Sequence, residues 1–330
     1  MQRRISKTIV GSLPRLDDSL DLSIKRAIDI QCRYGLDLVT DGEQRSDMIG
    51  YFEQIPGLTR SGAKVGVSGR IHRPSHVEGF HKLKDYTFAR KYLDEKGMKD
   101  VELKVEITGP TTLGFTCATT QLKGYSSIAD LELYRDLASA LQPLIDELLR
   151  LGACVQIDEP GLSAEFVDPV QATAFINDIV ADLKHFEQGS GKLSVHVCGD
   201  LTKRPRLFDL LTKLDVDILS FAFGGKVEGR NLQLLSNDSF INSGKRLGFG
   251  CVSVASSNID LIESVQEVVK LLNEGVQRIG VERLAYVHPN CGLRNTPLDV
   301  TEEILSRMRT SVQQVAMQSN YSVPSSQEAK

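Results

Sequence analysis

Short apolar runs and longer amphipathic ones alternate along the whole chain, and no Gly/Ser linker interrupts them. This rhythm predicts repeated β-α units around a parallel sheet. The runs cover residues 7–12, 36–40, 101–107, 153–157, 192–197, 216–221, 247–254 and 284–287. Eight is the strand number of an α/β barrel, so the expected fold is a (β/α)8 TIM barrel. Between the first two runs Leu20, Ile24, Ala27 and Ile28 recur at helical spacing. Ser126 or Ser127 can cap a helix that carries Leu133, Leu137, Leu141, Leu144, Leu148 and Leu151, is kinked at Pro143 and ends at Gly152. Ser257 or Asn258 can cap another, with Val265, Val268, Leu272 and Val276 on one face and Gly280 as its stop. A helix over residues 299–317 closes the chain, and the polar residues 319–330 are expected to be a disordered tail.

Residues 60–100 break the rhythm with ten Lys/Arg against five Asp/Glu, and with His72, His76 and His81, where the repeat needs only a short helix. They are read as a basic insertion between strands 2 and 3, either a solvated lobe or a lid or docking face for an acidic partner. The remainder of residues 1–318 is expected to form a single barrel domain, since 330 residues at 41% hydrophobic content can bury one large core.

A net charge of -4 and a pI near 5.9 give no general attraction to nucleic acid or to an anionic membrane. Small-molecule or protein partners fit better. The six cysteines, Cys32, Cys117, Cys154, Cys198, Cys251 and Cys291, are too dispersed for a disulfide framework and read as reduced thiols. The basic start Met1-Gln-Arg-Arg-Ile-Ser-Lys7 is not followed by a long apolar core, and no run approaches the roughly 18 apolar residues of a membrane span. A cytoplasmic location is expected.

The candidate chemistry centres on Val195-His-Val-Cys-Gly-Asp200. In an extended segment His196 and Cys198, two apart, point to the same side and can grip one ion. A lone His beside a small Cys is more often core than ligand, but Cys291 also follows directly on an apolar run, in Val287-His-Pro-Asn-Cys-Gly-Leu293. One His and two thiolates form a common zinc set with a position left for substrate. Ser12, Glu43, Thr108 and Asp158 likewise fall at or just past strand ends, where barrels of this type keep their active sites. Each alone could be a turn or cap residue; together they suggest one pocket with a metal and two carboxylates.

Thr8-Ile-Val-Gly-Ser-Leu-Pro14, Asp41-Gly-Glu-Gln-Arg-Ser-Asp-Met-Ile-Gly-Tyr-Phe52, Gln156-Ile-Asp-Glu-Pro160, His196-Val-Cys198 and Pro289-Asn-Cys-Gly-Leu293 resemble the catalytic domain of cobalamin-independent methionine synthase. The likeness runs from about residue 5 to residue 317 in family order. It implies a zinc barrel that methylates the thiol of homocysteine, with His196, Cys198 and Cys291 on zinc. Glu43 and Asp158 would hold the amino group, and Val10, Gly11 and Ser12 would meet the carboxylate. A free ammonium in a closed pocket calls for paired carboxylates, and a carboxylate suits backbone amides.

Departures from the family sharpen this expectation. The additional N-terminal half of full-length members has no counterpart here, so the chain resembles the shorter, core-only versions. The Glu that usually completes the zinc set is replaced by Ala222, while Glu228, six residues on, could swing in; three protein ligands plus water or substrate thiol are expected. On the donor side, Thr116 stands near the place of the pterin-stacking Trp. Ser163-Ala164 replaces a Glu, with Glu165 adjacent, and Ala255 replaces the His that protonates the departing folate nitrogen. An amine leaving group needs that proton, whereas a cobalt(I) corrinoid does not. The expected enzyme is therefore a zinc-dependent methyltransferase making methionine from homocysteine. Its donor is methylcobalamin or a methylated corrinoid protein rather than methyltetrahydrofolate, its nucleophile is the zinc-bound substrate thiolate, and no protein acid is assigned. Two alternatives remain: a methyl- or alkyltransferase for another thiol such as coenzyme M, and a structural zinc barrel that binds a partner.

Overall fold

In the computed structural model, which describes residues 5–321, each of the eight apolar runs contributes one parallel strand. They are β1 (Ser6–Lys7), β2 (Leu38–Val39), β5 (Glu102–Thr108), β6 (Cys154–Asp158), β7 (Leu193–Val197), β8 (Ile218–Ala222), β9 (Arg246–Val252) and β10 (Leu284–Pro289), while β3 (Leu58–Ser61) and β4 (Lys64–Val67) form a separate hairpin. The strand order β1-β10-β9-β8-β7-β6-β5-β2 wraps the sheet almost into a closed barrel. At the remaining seam the Asp37 N–H donates to the Lys7 carbonyl at 2.9 Å, and the Asp37 carboxylate accepts from the Lys7 amide and ammonium.

The helices are α1 (Leu20–Arg33), α2 (His81–Glu95), α3 (Pro110–Thr120), α4 (Leu131–Arg150), α5 (Pro160–Ser163), α6 (Pro169–Ala181), α7 (Pro205–Leu211), α8 (Gly225–Glu228), α9 (Asp238–Ile241), α10 (Val265–Ile279) and α11 (Leu298–Tyr321). Their apolar stripes pack on the outward faces of the strands. Val105, Ile107, Val155, Ile157, Val195, Leu219 and Val287 meet Leu137, Leu141, Phe175, Ile176, Leu272 and Ile304 in one buried layer. Each such side chain contributes about 1.5–3 kcal/mol by burial.

Several expectations need correction. The segment 60–100 is not one insertion: His81–Glu95 is α2, the ordinary helix of the second β-α unit, and the extra element is the β3–β4 hairpin with its flanks. Its basic residues are largely tied down on the chain itself. Arg70 pairs with Glu132 and Asp136 and lies over Tyr125, Arg60 pairs with Glu53, and Lys96 pairs with Asp29. Helix α4 is capped by Asp130, whose side chain accepts from the Glu132 amide, not by Ser126 or Ser127, and it continues through Pro143. Helix α10 starts at the capping box of Ser264 and Glu267 rather than at Ser257 or Asn258, and it stops at Gly280 as expected. Helix α11 continues to Tyr321, so residues 319–321 of the expected tail are helical. Residues 322–330 lie outside the described residues. Among the described residues no helix is long and apolar enough to cross a membrane.

The barrel interior is polar rather than aliphatic. Alternate strand residues face inward, and across the strands the Lys104 ammonium donates to Gln156 Oε1 at 2.8 Å while Gln156 Nε2 donates to Asp158 Oδ1 at 2.7 Å. A small apolar cluster of Leu38, Cys154, Ile218, Ala285 and Tyr286, at the starts of their strands, plugs the N-terminal end. The polar groups are thus displayed toward the C-terminal mouth.

Candidate active site

At that mouth lies a cavity of about 250 Å³ whose wall includes eight of the residues the sequence nominated: Val10, Gly11, Ser12, Glu43, Asp158, His196, Cys198 and Cys291. Thr108 is not part of the wall; its hydroxyl donates to the Met48 carbonyl at 2.5 Å.

The Asp41-Gly-Glu43 turn is tight. The Asp41 carboxylate accepts the Glu43 amide at 2.7 Å, Gly42 has φ +71°, and Glu43 itself is held at φ +50°, a region unfavourable to a residue with a side chain. A Cβ on Gly42 would lie 2.8 Å from that of Ala27. The turn delivers the Glu43 carboxylate into the cavity, where sequence reasoning missed its partner: the buried Lys82 ammonium, 2.9 Å from Oε1. Asp158 opposes Glu43 from the end of β6, and burial pushes its carboxyl up to about 6. Glu43, Asp158 and Asp47 against Lys82 and Arg294 leave the pocket with an excess of carboxylates, suited to a cation.

The segment Val10-Gly11-Ser12 is anchored by its carbonyls, which accept from Gln156 Nε2, Thr40 Oγ1 and the Leu293 amide at 2.8, 2.7 and 2.9 Å. A Cβ on Gly11 would stand 2.6 Å from Glu106 Cγ, so only glycine allows this approach. Glu106, also missed, is fully buried with neither carboxylate oxygen hydrogen-bonded, and burial raises its carboxyl well above the ordinary range. Arg294 lines the cavity too, and its guanidinium is held by the Glu43 and Ser46 carbonyls.

His196, Cys198 and Cys291 bring one nitrogen and two sulfurs within 4.8 Å of one another. His196 and Cys198 come from the end of β7. Cys291 is placed by Asn290, whose side chain bonds the Phe223 and Gly224 amides and the Gly224 carbonyl. The two thiols share a proton unevenly: their mutual hydrogen bond, with help from His196, pulls Cys291 down to about 4, while the same bond and burial push Cys198 up. His196 Nε2 is buried and has no oxygen or nitrogen partner. An imidazole nitrogen without an oxygen or nitrogen partner, beside two cysteine sulfurs, is the donor set of a soft divalent cation. Among the described residues this group has three members; Ala222 is buried at the end of β8, and Glu228 stands outside the group.

None of the three donor-side positions presents an acid to the cavity. Thr116 lies within α3, beside a stacked pair of Phe115 and Phe166. Ala164 is exposed, and the adjacent Glu165 pairs with Arg204. Ala255 lines a separate groove of about 720 Å³ that shares no wall residue with the cavity.

Residues 3–314 match the family described as the catalytic domain of the cobalamin-independent synthases. The chain is 31% identical over 322 residues to a methionine synthase of Methanothermobacter marburgensis, covering 94% of this chain and 92% of the relative. It is 25% identical over 303 residues to the 5-methyltetrahydropteroyltriglutamate–homocysteine methyltransferase of Sodalis glossinidius, covering 88% of this chain and 38% of that protein. Its fold matches a B12-independent methionine synthase from Shewanella sp. W3-18-1 solved with selenomethionine, at TM-score 0.75 and 20% identity, over 97% of this chain and all of the other.

Proposed function

The chain belongs to the cobalamin-independent synthase catalytic-domain family, and on that premise we propose that it is a zinc-dependent methyltransferase that makes methionine from homocysteine in the cytoplasm. The observation that carries this reading is the convergence of His196, Cys198 and Cys291 with Glu43 and Asp158 on one cavity.

His196, Cys198 and Cys291 would hold the zinc. Its Lewis acidity lowers the pKa of a thiol from about 8.5, so that the sulfur is nucleophilic at neutral pH. Glu43 and Asp158 bind and orient the ammonium of the amino acid, and the segment Val10-Gly11-Ser12 receives its carboxylate. The sulfur–carbon bond then forms as the donor–methyl bond breaks, and the electron pair of that bond leaves with the donor. Methylcobalamin or a methylated corrinoid protein is the donor this site suits: Ala255 supplies no proton, and a cobalt(I) corrinoid leaves without one. A purely structural zinc site is disfavoured, because such sites are closed by four protein ligands. Coenzyme M is disfavoured because a sulfonate would face Glu43 and Asp158.

The test is a thiol-methylation assay of zinc-loaded protein with methylcobalamin and methyltetrahydrofolate side by side. Methionine formed from the corrinoid, with little from folate, is expected. Turnover with folate alone would return the chain to folate chemistry, and turnover with neither would remove the assignment.

A further inference from the structure

A pocket that grips an ammonium with carboxylates repels the other end of an amino acid. The carboxyl carbon of an α-amino acid lies only about 2.5 Å from its amino nitrogen, so an ammonium held by Glu43 and Asp158 brings a carboxylate into their field. Asp47 adds a third acid to the cavity wall, and among the described residues that wall contains a single Lys or Arg side chain, Arg294. Lys82 is outside the wall and is paired with Glu43.

The chain sets Arg294 between the two segments that would receive the substrate. The Leu293 amide donates to the Ser12 carbonyl at 2.9 Å, which ties the segment after β10 to the one after β1. One residue on, Nη2 of Arg294 donates to the Glu43 carbonyl at 2.5 Å and to the Ser46 carbonyl, which ties it to the turn after β2. Both partners are neutral carbonyls, so they fix the guanidinium without cancelling its charge. Among the described residues Arg294 has no ion pair, and its Nε and Nη1 donate to nothing. Ser12 Oγ is likewise without a hydrogen bond among those residues. Gly292 leaves that hydroxyl its room, because a Cβ there would collide with Ser12 Oγ.

We infer that Arg294 is a substrate-binding residue which, with the Ser12 hydroxyl, receives the carboxylate of the amino acid and makes the cavity selective for zwitterionic thiols over simple aminothiols. The inference rests on the function proposed above. A guanidinium is planar, always charged and rich in donors, which suits it to a carboxylate in an acidic wall. A mere clamp on the Glu43 turn would use only Nη2, and it leaves unexplained a permanent charge and free donors in the wall of the cavity.

Calorimetric titration of full-length, zinc-loaded protein tests this with three thiols. They are L-homocysteine, aminopropanethiol, which lacks the carboxylate, and sulfanylbutanoate, which lacks the ammonium. The unaltered protein is expected to prefer homocysteine to aminopropanethiol by about 10-fold or more. Arg294→Gln should weaken homocysteine about 10- to 100-fold and aminopropanethiol less than about 2-fold, while Arg294→Lys, which keeps the charge, should retain part of the preference. Ser12→Ala, which leaves the Glu43 and Ser46 carbonyls held, should cost homocysteine about 5-fold and spare aminopropanethiol. No preference in the unaltered protein overturns the inference, as does an Arg294→Gln loss shared equally by all three thiols. If Arg294→Gln does not fold, an absent or unselective loss in Ser12→Ala overturns it. If the unaltered protein binds none of the three thiols, the function proposed above fails, and the inference falls with it.

Discussion

Lys82 Nζ and Glu43 Oε1 form a buried ion pair at 2.9 Å beside the cavity, with the Tyr51 ring 4.0 Å from the ammonium. Burial alone would lower the Lys82 pKa, but the fields of Glu43, Asp41 and Glu106 outweigh it and hold the ammonium charged. The pair gives the strained Glu43 turn a fixed address, and on the proposed function a substrate ammonium would share its carboxylate with an internal cation.

Lys82→Met is expected to destabilise the protein by about 3–5 kcal/mol, because it strands a buried carboxylate. Adding Glu43→Gln should recover much of that loss. Urea unfolding of the single and double variants measures both effects, and a Lys82→Met protein as stable as its parent would refute the pairing.

On the proposed function, Glu43→Gln and Asp158→Asn would each remove a charge-assisted contact to the substrate ammonium, worth about 1.5–3 kcal/mol, or roughly one to two decades in affinity. Homocysteine should suffer this loss and mercaptoethanol should not. Equal losses for the two thiols, read as KM in a methylation assay, would contradict the role.

Cys198→Ser and Cys291→Ser should each lose bound zinc while keeping the fold, as read by metal analysis and circular dichroism. Full occupancy in both variants would sink the ligand assignment.

Stability of the metal-free protein should fall as pH rises from about 4.5 to about 6. Burial pushes Asp41 and Asp158 up to about 6 and Glu159 to about 7. The folded protein therefore holds protons that the unfolded chain has already released, and each group contributes at most about 1.4 kcal/mol per pH unit. His288, whose pKa burial lowers, and Cys291, pulled down to about 4, work in the opposite direction and offset part of the slope. Asp41→Asn should flatten the dependence in urea titrations across this window; an unchanged slope would show that Asp41 ionises at its ordinary pKa.

The strands and much of the cavity wall were legible in the sequence because the nominated residues lie at or shortly past the ends of apolar runs, and in a barrel the ends of such runs converge. Ser264-Val-Gln-Glu267 is also a readable capping box, an S-x-x-E set directly before the apolar stripe of α10. Lys104 and Glu106 left a trace as charged residues alternating with Leu103, Val105 and Ile107, the mark of a strand whose inner face is polar. Lys82 was hidden inside a basic segment whose charges look solvated; its burial depends on how α2 docks. The hydrogen-bonded link from His196 through Ser220 to His288 was not visible at all, because it joins three strands far apart in sequence and no local spacing encodes it.

The polar filling of the barrel has a consequence for how this sequence can change over time. Lys104 bonds the Ile9 carbonyl and Gln156, Gln156 bonds Val10 and Asp158, and Gly11 is small because Glu106 lies against it. Replacing one member strands another, so single steps are costly even where a double step would be neutral. A variant that left this lattice would need coordinated substitutions on several elements at once, whereas a change on an exposed helix face meets no such coupling.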